Sequence, residues 1–242
     1  MGVGELLLIS TITGLASGLG ALVVNCCGNF SNRTLSALLG FAAGIMISIS
    51  TLNLLPSAVQ YGNAYLAAGG FLAGVIIMLV LDNFIPHLHF LQKEGRENSF
   101  MKMGYFIAAG IALHNLPEGL ALGAGYQAAE ELGSMIALAI LLHNIPEGMG
   151  IAAPLKAGGT RSITILCITS SAGLFTPLGT LIGVLIFNIS PLFISLSMGF
   201  AAGAMIYIVS DELIPESHKQ HSHYANLGIA FGVLLTFLTQ SI

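Results

Sequence analysis

Residues 104–154 read GYFIAAGIALHNLPEGLALGAGYQAAEELGSMIALAILLHNIPEGMGIAAP. Two continuously apolar runs, 104–127 and 132–154, flank the polar pair Glu130–Glu131. Each run reaches the roughly 20 residues that a helix needs to cross the hydrocarbon core. Each also carries the same six-residue pattern, His114-Asn115-Leu116-Pro117-Glu118-Gly119 in the first and His143-Asn144-Ile145-Pro146-Glu147-Gly148 in the second. His and Glu stand at i and i+4, on one face of a helix. The proline at i+3 has no N–H for the carbonyl one turn back, which predicts a kink and a freed carbonyl oxygen.

If the two runs are antiparallel neighbours turning at Glu130–Glu131, residues of equal depth have numbers summing to 261, which places His114 level with Glu147 and Glu118 level with His143. The four groups lie more than three helical turns from the turn, near the middle of a membrane at about 1.5 Å per residue. Carboxylates there cost at least several kcal/mol unless paired. A divalent cation is the natural partner, and a His/Glu donor set suits zinc, iron(II) or manganese better than calcium or magnesium.

The rest of the chain has the same character. Of 242 residues, 55% are hydrophobic and 7% charged, with a mean hydropathy of +0.88. Soluble domains carry about 25% charged residues. A soluble enzyme, a nucleic-acid binder and a disordered chain are excluded together, the second also by having only seven Lys and Arg. Cys26, Cys27 and Cys167 form no C-x-x-C and give no disulfide framework. The N-terminus, MGVGELLLIS, lacks a basic n-region and reads as a helix of the mature protein.

Apolar runs between breaks predict eight transmembrane helices at 3–24, 34–55, 64–85, 104–127, 132–154, 162–187, 191–214 and 224–242, in a single transmembrane domain covering 1–242. Arg33, Lys93, Arg96, Lys102, Lys156, Arg161 and Lys219 all lie in or beside the connections after spans 1, 3, 5 and 7. By the positive-inside rule those connections are cytoplasmic and both termini are outside. The segment 92–102 reads as a solvated inner loop.

Segment 40–56, GFAAGIMISISTLNLLP, matches 199–215, GFAAGAMIYIVSDELIP, at 10 of 17 ungapped positions. With eight spans the two run in opposite directions. Inverted repeats are common in secondary transporters, which hold substrate at the repeat interface. The recurrent Gly-x-x-x-Gly spacing within these segments also suits ordinary helix packing.

At the paired motifs the chain resembles the ZIP (zinc/iron-regulated-transporter-like) family of metal transporters. HNLPEG and HNIPEG match that family's fourth and fifth helices, and the endings LDNFIPHLH (81–89) and SDELIPESH (210–218) look like its GufA-like branch. The resemblance covers essentially the whole chain. It implies an all-α fold with an inverted repeat, helices 1–3 and 6–8, around a metal site on helices 4 and 5. The implied primary ligands are His114, Glu118 and Glu147, with His143 as a fourth and Met46 approaching from helix 2. Asn115 and Asn144 match positions of a second, adjacent site in some members. Thr176 stands where relatives often have Glu, and Asn144 where some have Asp, so a stable binuclear centre is not expected. The resemblance also implies an elevator-like alternation of helices 1, 4, 5 and 6 past helices 2, 3, 7 and 8.

A second polar zone gathers on the predicted inner side: Asp82, His87 and His89 after span 3, and Asp211, Glu212, Glu216, His218, His221 and His223 after span 7. It reads as a metal exit path or as ordinary solvated helix ends. The expected function is uptake of a divalent transition metal, Zn²⁺ first, with Fe²⁺, Mn²⁺ and Cd²⁺ as alternatives; a membrane metal sensor or metalloenzyme is the alternative of a different class. No resident cofactor and no enzyme chemistry are implied. The expected partners are the metal ion and the lipid bilayer of a prokaryotic cytoplasmic membrane, with a homodimer as the candidate assembly.

Overall fold

A computed structural model describes residues 2–27, 31–84, 96–187 and 191–239. His87 and His89 lie outside the described residues, as do the side chains of Asp82 and His114. The described elements are all helical: α1 (Val3–Cys27), α2 (Asn32–Ser48), a π-helical segment (Ile49–Leu54), α3 (Leu55–Tyr61), α4 (Ala64–Phe84), α5 (Arg96–Ala128), α6 (Glu130–Ala157), α7 (Ser162–Gly173), α8 (Phe175–Phe187), α9 (Pro191–Ile208), a second π-helical segment (Val209–Leu213) and α10 (Ile214–Thr239). Among the described residues, five stretches are long and apolar enough to cross a membrane, namely Val3–Cys27, Asn32–Tyr61, Glu130–Ala157, Ser162–Leu185 and Leu192–Lys219; Ala64–Val80 is a shorter apolar helix. The molecule is an all-α polytopic membrane protein.

Three local features depart from the sequence expectation. Residues 96–102 are not a loop but the first two turns of α5; their charge hides the helix from a hydropathy reading, while their propensities favour it. The span expected at 162–187 is interrupted between Gly173 and Phe175. Pro177 has no N–H for the carbonyl of Gly173, which releases that carbonyl from the helix. The gap expected between spans 7 and 8 is a corner inside α10, where His221 leaves helical geometry at φ −158° and ψ 87°.

The repeat extends to the backbone. Leu55 N–H bonds to Ser50 O and Ile214 N–H to Val209 O, the same five-residue step at matching positions of the two segments. Pro56 and Pro215 follow directly, and each, lacking an N–H, disrupts the ordinary four-residue ladder. Widened turns of this kind recur at functional sites. The two copies point oppositely. Helix α2 begins at the end where Arg33 meets His221, and its continuation through α3 ends where Tyr61 meets Ala128. Helix α9 begins beside α3, with Ser195 Oγ donating to Ala58 O, and leads to the His221 corner.

Glycine contacts sort the helices into two bodies. In the first, a Cβ on Gly14 would lie 2.1 Å from Gly173 O, on Gly148 1.9 Å from Ser17 O and on Gly119 1.9 Å from Thr176 O. These contacts zip α1, α5, α6, α7 and α8 together, backbone against backbone. In the second, Gly40 approaches Ala225 O (2.3 Å) and Gly203 approaches Phe71 O (2.1 Å), joining α2 to α10 and α4 to α9. Among the described glycines, every clash with another helix's backbone falls inside one body. Between the bodies glycines meet only side-chain tips, Glu212 at Gly110 and Leu39 at Gly150. The interface itself is a layer of interlocked side chains that includes Met46, Ile49, Leu54, Leu122, Ile136 and Met198.

Candidate metal site

The depth rule pairs Glu118 with His143, and the two touch: His143 Nε2 and Glu118 Oε1 lie 2.7 Å apart, both fully buried. With the proton on Nε2, the imidazole donates to the carboxylate. Glu147, one turn along α6 from His143, is also fully buried. Glu118, His143 and Glu147 each offer a donor atom within 4.8 Å of the others. Both helices run continuously through their prolines, Pro117 in α5 and Pro146 in α6. The i, i+4 register of the backbone therefore survives, and α5 presents Glu118 toward His143 and Glu147 of α6. His114 belongs to α5 one turn before Glu118.

Two carboxylates and an imidazole have been withdrawn from water together. At an effective dielectric of about 20, two full negative charges 4.8 Å apart repel by roughly 3.5 kcal/mol. A divalent cation removes that repulsion and supplies the ligand bonds that offset desolvation. Carboxylate oxygen and imidazole nitrogen at this spacing fit a borderline metal such as zinc.

Met46 is fully buried in α2, as is its repeat counterpart Met205 in α9. Ile45 of α2 and Ile49 line one crevice with Met135, Ala139 and Leu142 of α6, so α2 packs along the helix that carries His143 and Glu147.

Asn115 and Asn144 point into the first body. Asn115 Nδ2 donates to Ala172 O at 2.8 Å and Asn144 Nδ2 to Thr13 O at 2.9 Å. They tie the two motif helices to α7 and α1 at the point where Gly14 meets Gly173. Both asparagine Oδ1 atoms and Thr176 Oγ1 are buried and lack a hydrogen-bond partner among the described residues. Beside the carboxylates there is thus a patch of neutral oxygens. Sequence reading missed these ties because their acceptors are main-chain carbonyls, which no side-chain pattern marks.

The polar zone at the other end divides by environment. His218 is held on both nitrogens, Nδ1 by Ile214 O (2.8 Å) and Nε2 by Asn226 Oδ1 (2.9 Å), so it pins the α10 corner. His221 accepts from Arg33 Nε at 3.3 Å and stacks edge-on with Tyr224. Glu216 pairs with Lys219. His223 is exposed, as are Asp211 and Glu212 of the second π-helical segment; Glu212 reaches over Gly110, one turn of α5 from His114.

A helical membrane bundle built around a buried Glu–His–Glu cluster defines a membrane protein that handles divalent metal ions. Comparison with known proteins agrees. The family model described as ZIP Zinc transporter matches residues 91–240. The zinc transporter ZIPB of Bordetella bronchiseptica is 35% identical over 240 residues, covering 94% of this chain and 78% of its own. The zinc transporter GufA of Myxococcus xanthus is 32% identical over 98% of both chains. The zinc transporter ZupT of Chlorobium limicola is 33% identical over 94% of this chain and 93% of its own. The chain belongs to the ZIP family.

Proposed function

We propose that this protein transports divalent transition-metal ions, Zn²⁺ first, across a prokaryotic cytoplasmic membrane into the cytoplasm, without enzyme chemistry. The observation that carries the reading is the buried Glu118–His143–Glu147 cluster on two helices of a membrane bundle. Relatives named as zinc transporters over nearly the whole chain support the substrate.

The residues act as follows. Glu118 and Glu147 together neutralise a doubly charged ion. His143, with His114 beside them in sequence, adds imidazole nitrogen and favours a borderline metal over calcium or magnesium. Binding the ion displaces the proton that His143 Nε2 shares with Glu118, since metal binding requires deprotonated donors. Asn115 and Asn144 hold the motif helices at fixed depth. The full span count is eight crossings in one domain, with α2 continuing through α3, α7 through α8, and α10 turning at His221. The end bearing Arg33, Lys156 and Arg161 is cytoplasmic, and both termini are outside. Released ions leave past the exposed carboxylates Asp211 and Glu212, with Asp82, His87, His89 and His223 as further stations. A homodimer is the assembly to test by mass in detergent.

The test is uptake of Zn²⁺ into proteoliposomes read by an internal fluorescent reporter, with Glu147→Ala alongside and Fe²⁺, Mn²⁺ and Cd²⁺ as competitors. Uptake that disappears in the variant supports the reading and ranks the ions. Uptake indifferent to the substitution shows that the ion passes elsewhere, and no flux of any ion from folded protein turns the reading toward a sensor or metalloenzyme.

A further inference from the structure

We infer that Tyr61, assisted by Asn53, is an outer latch that sets the balance between the two access states of the transporter. The inference rests on the transport reading and deepens it. The two bodies are each held by close backbone contacts, whereas side chains alone separate them. Hydrogen bonds cross from one body to the other at one end of the bundle. Tyr61 Oη at the end of α3 donates to Ala128 O at the end of α5 (2.8 Å), and Asn53 Nδ2 donates to Met135 Sδ of α6 (2.8 Å). Both lie at the end away from Arg33 and Lys156.

Their position gives them a role that a packing contact lacks. Ala128 closes the helix whose middle carries Glu118, and Tyr61 closes the helix pair that lies across the site. An ion arriving from outside has to pass between these ends, through the layer that contains Leu54, Leu122 and Ile136, all essentially without exposed surface. Opening that layer by moving one body against the other separates Tyr61 from Ala128 and Asn53 from Met135. Alternating access is commonly such a rigid movement of one bundle against another. The acceptor on Ala128 is a carbonyl at a helix terminus, free of any intrahelical partner. The bond can therefore break and reform without unwinding the helix. Tyr61 is a positioning residue: it touches no ion, and it acts on the equilibrium that exposes the site.

The test reads access directly and needs no transport. In a background of Cys26→Ser, Cys27→Ser and Cys167→Ser, whose native side chains are all exposed, one reporter is placed at buried Ser50→Cys in the first π-helical segment. A second is placed at exposed Ser210→Cys in the other. Oriented vesicles are labelled with a membrane-impermeant thiol reagent, from outside for the first reporter and from inside for the second. Removing one neutral hydrogen bond by Tyr61→Phe should shift the equilibrium by about three- to tenfold. Labelling at position 50 should rise by that factor while labelling at position 210 falls. Met135→Leu should likewise raise labelling at position 50 and lower it at position 210. Reporters that rise together mean general loosening and overturn the latch, as do unchanged rates at both positions. Because labelling is independent of flux, a protein that transports nothing yet shows reciprocal labelling would refute the transport reading and leave the latch standing.

Discussion

Glu147→Gln should stabilise the metal-free protein while abolishing its response to zinc. Glutamine keeps the size and one acceptor oxygen of glutamate, and replaces the other oxygen and its charge with an NH2 donor. The donor atoms of Glu118, His143 and Glu147 lie within 4.8 Å of one another and all three residues are fully buried. Full ionisation of both carboxylates costs roughly 3.5 kcal/mol at an effective dielectric of about 20. The hydrogen bond from His143 to Glu118 already relieves part of this, so about 1–3 kcal/mol is the expected gain. At 2–4 °C per kcal/mol for a chain of this size, the metal-free Tm should rise by about 2–12 °C. In the unmodified protein, zinc at about 100 times its Kd should add about 2.7 kcal/mol by mass action, and in the variant close to nothing. Thermal unfolding in detergent, followed by a thiol-independent probe with and without Zn²⁺ and with chelator as baseline, measures both changes. A variant less stable than the parent without metal, yet still stabilised by zinc, would show that the cluster is a structural hydrogen-bond network and not a cation site.

Further outcomes follow from other parts of the structure. Calorimetric titration should find one tight Zn²⁺ site per chain, because the patch beside the carboxylates is built of neutral oxygens from Asn115, Asn144 and Thr176; two tight sites would contradict this. Zinc affinity should weaken as pH falls, because protons compete with the metal for the imidazole and carboxylate donors; uptake as fast at pH 5.5 as at 7 would argue against imidazole ligation. Gly119→Ala puts a Cβ 1.9 Å from Thr176 O and should cost several kcal/mol, whereas Gly69→Ala meets nothing within 4 Å and should be neutral or slightly stabilising. Unfolding midpoints of the two variants, side by side, provide that comparison. Replacing His218 should lower stability by about 1–2 kcal/mol through loss of the α10 corner bonds, with little change in zinc dependence of uptake; a changed metal dependence would return it to the exit path.

Much of the site was legible because its information is one-dimensional. Apolar run length marks a membrane helix, and the mirrored spacing of two His–Glu pairs places Glu118 level with His143. Helical rise sets their common depth, and the packing of α5 against α6 turns that level into a 2.7 Å contact. The Pro56 and Pro215 positions likewise announce where the α-helical ladder must yield. They do not announce that both copies yield by the same widened turn, since a proline can equally produce a kink or a helix end.

Tertiary structure alone decided which helices form one body and which form the other. Gly-x-x-x-Gly spacing occurs on helices of both bodies, and a glycine specifies that something may approach closely without specifying what. Gly14 against Gly173 and Gly40 against Ala225 are resolved only when the helices are in place. The same holds for the ties from Asn115 to Ala172 O, from Asn144 to Thr13 O and from Tyr61 to Ala128 O, whose acceptors are backbone carbonyls that every residue possesses. Composition and spacing determine what a helix can bury and at what depth. Which neighbour it meets is settled by backbone approach, a property of the assembled bundle that no single stretch of the chain carries.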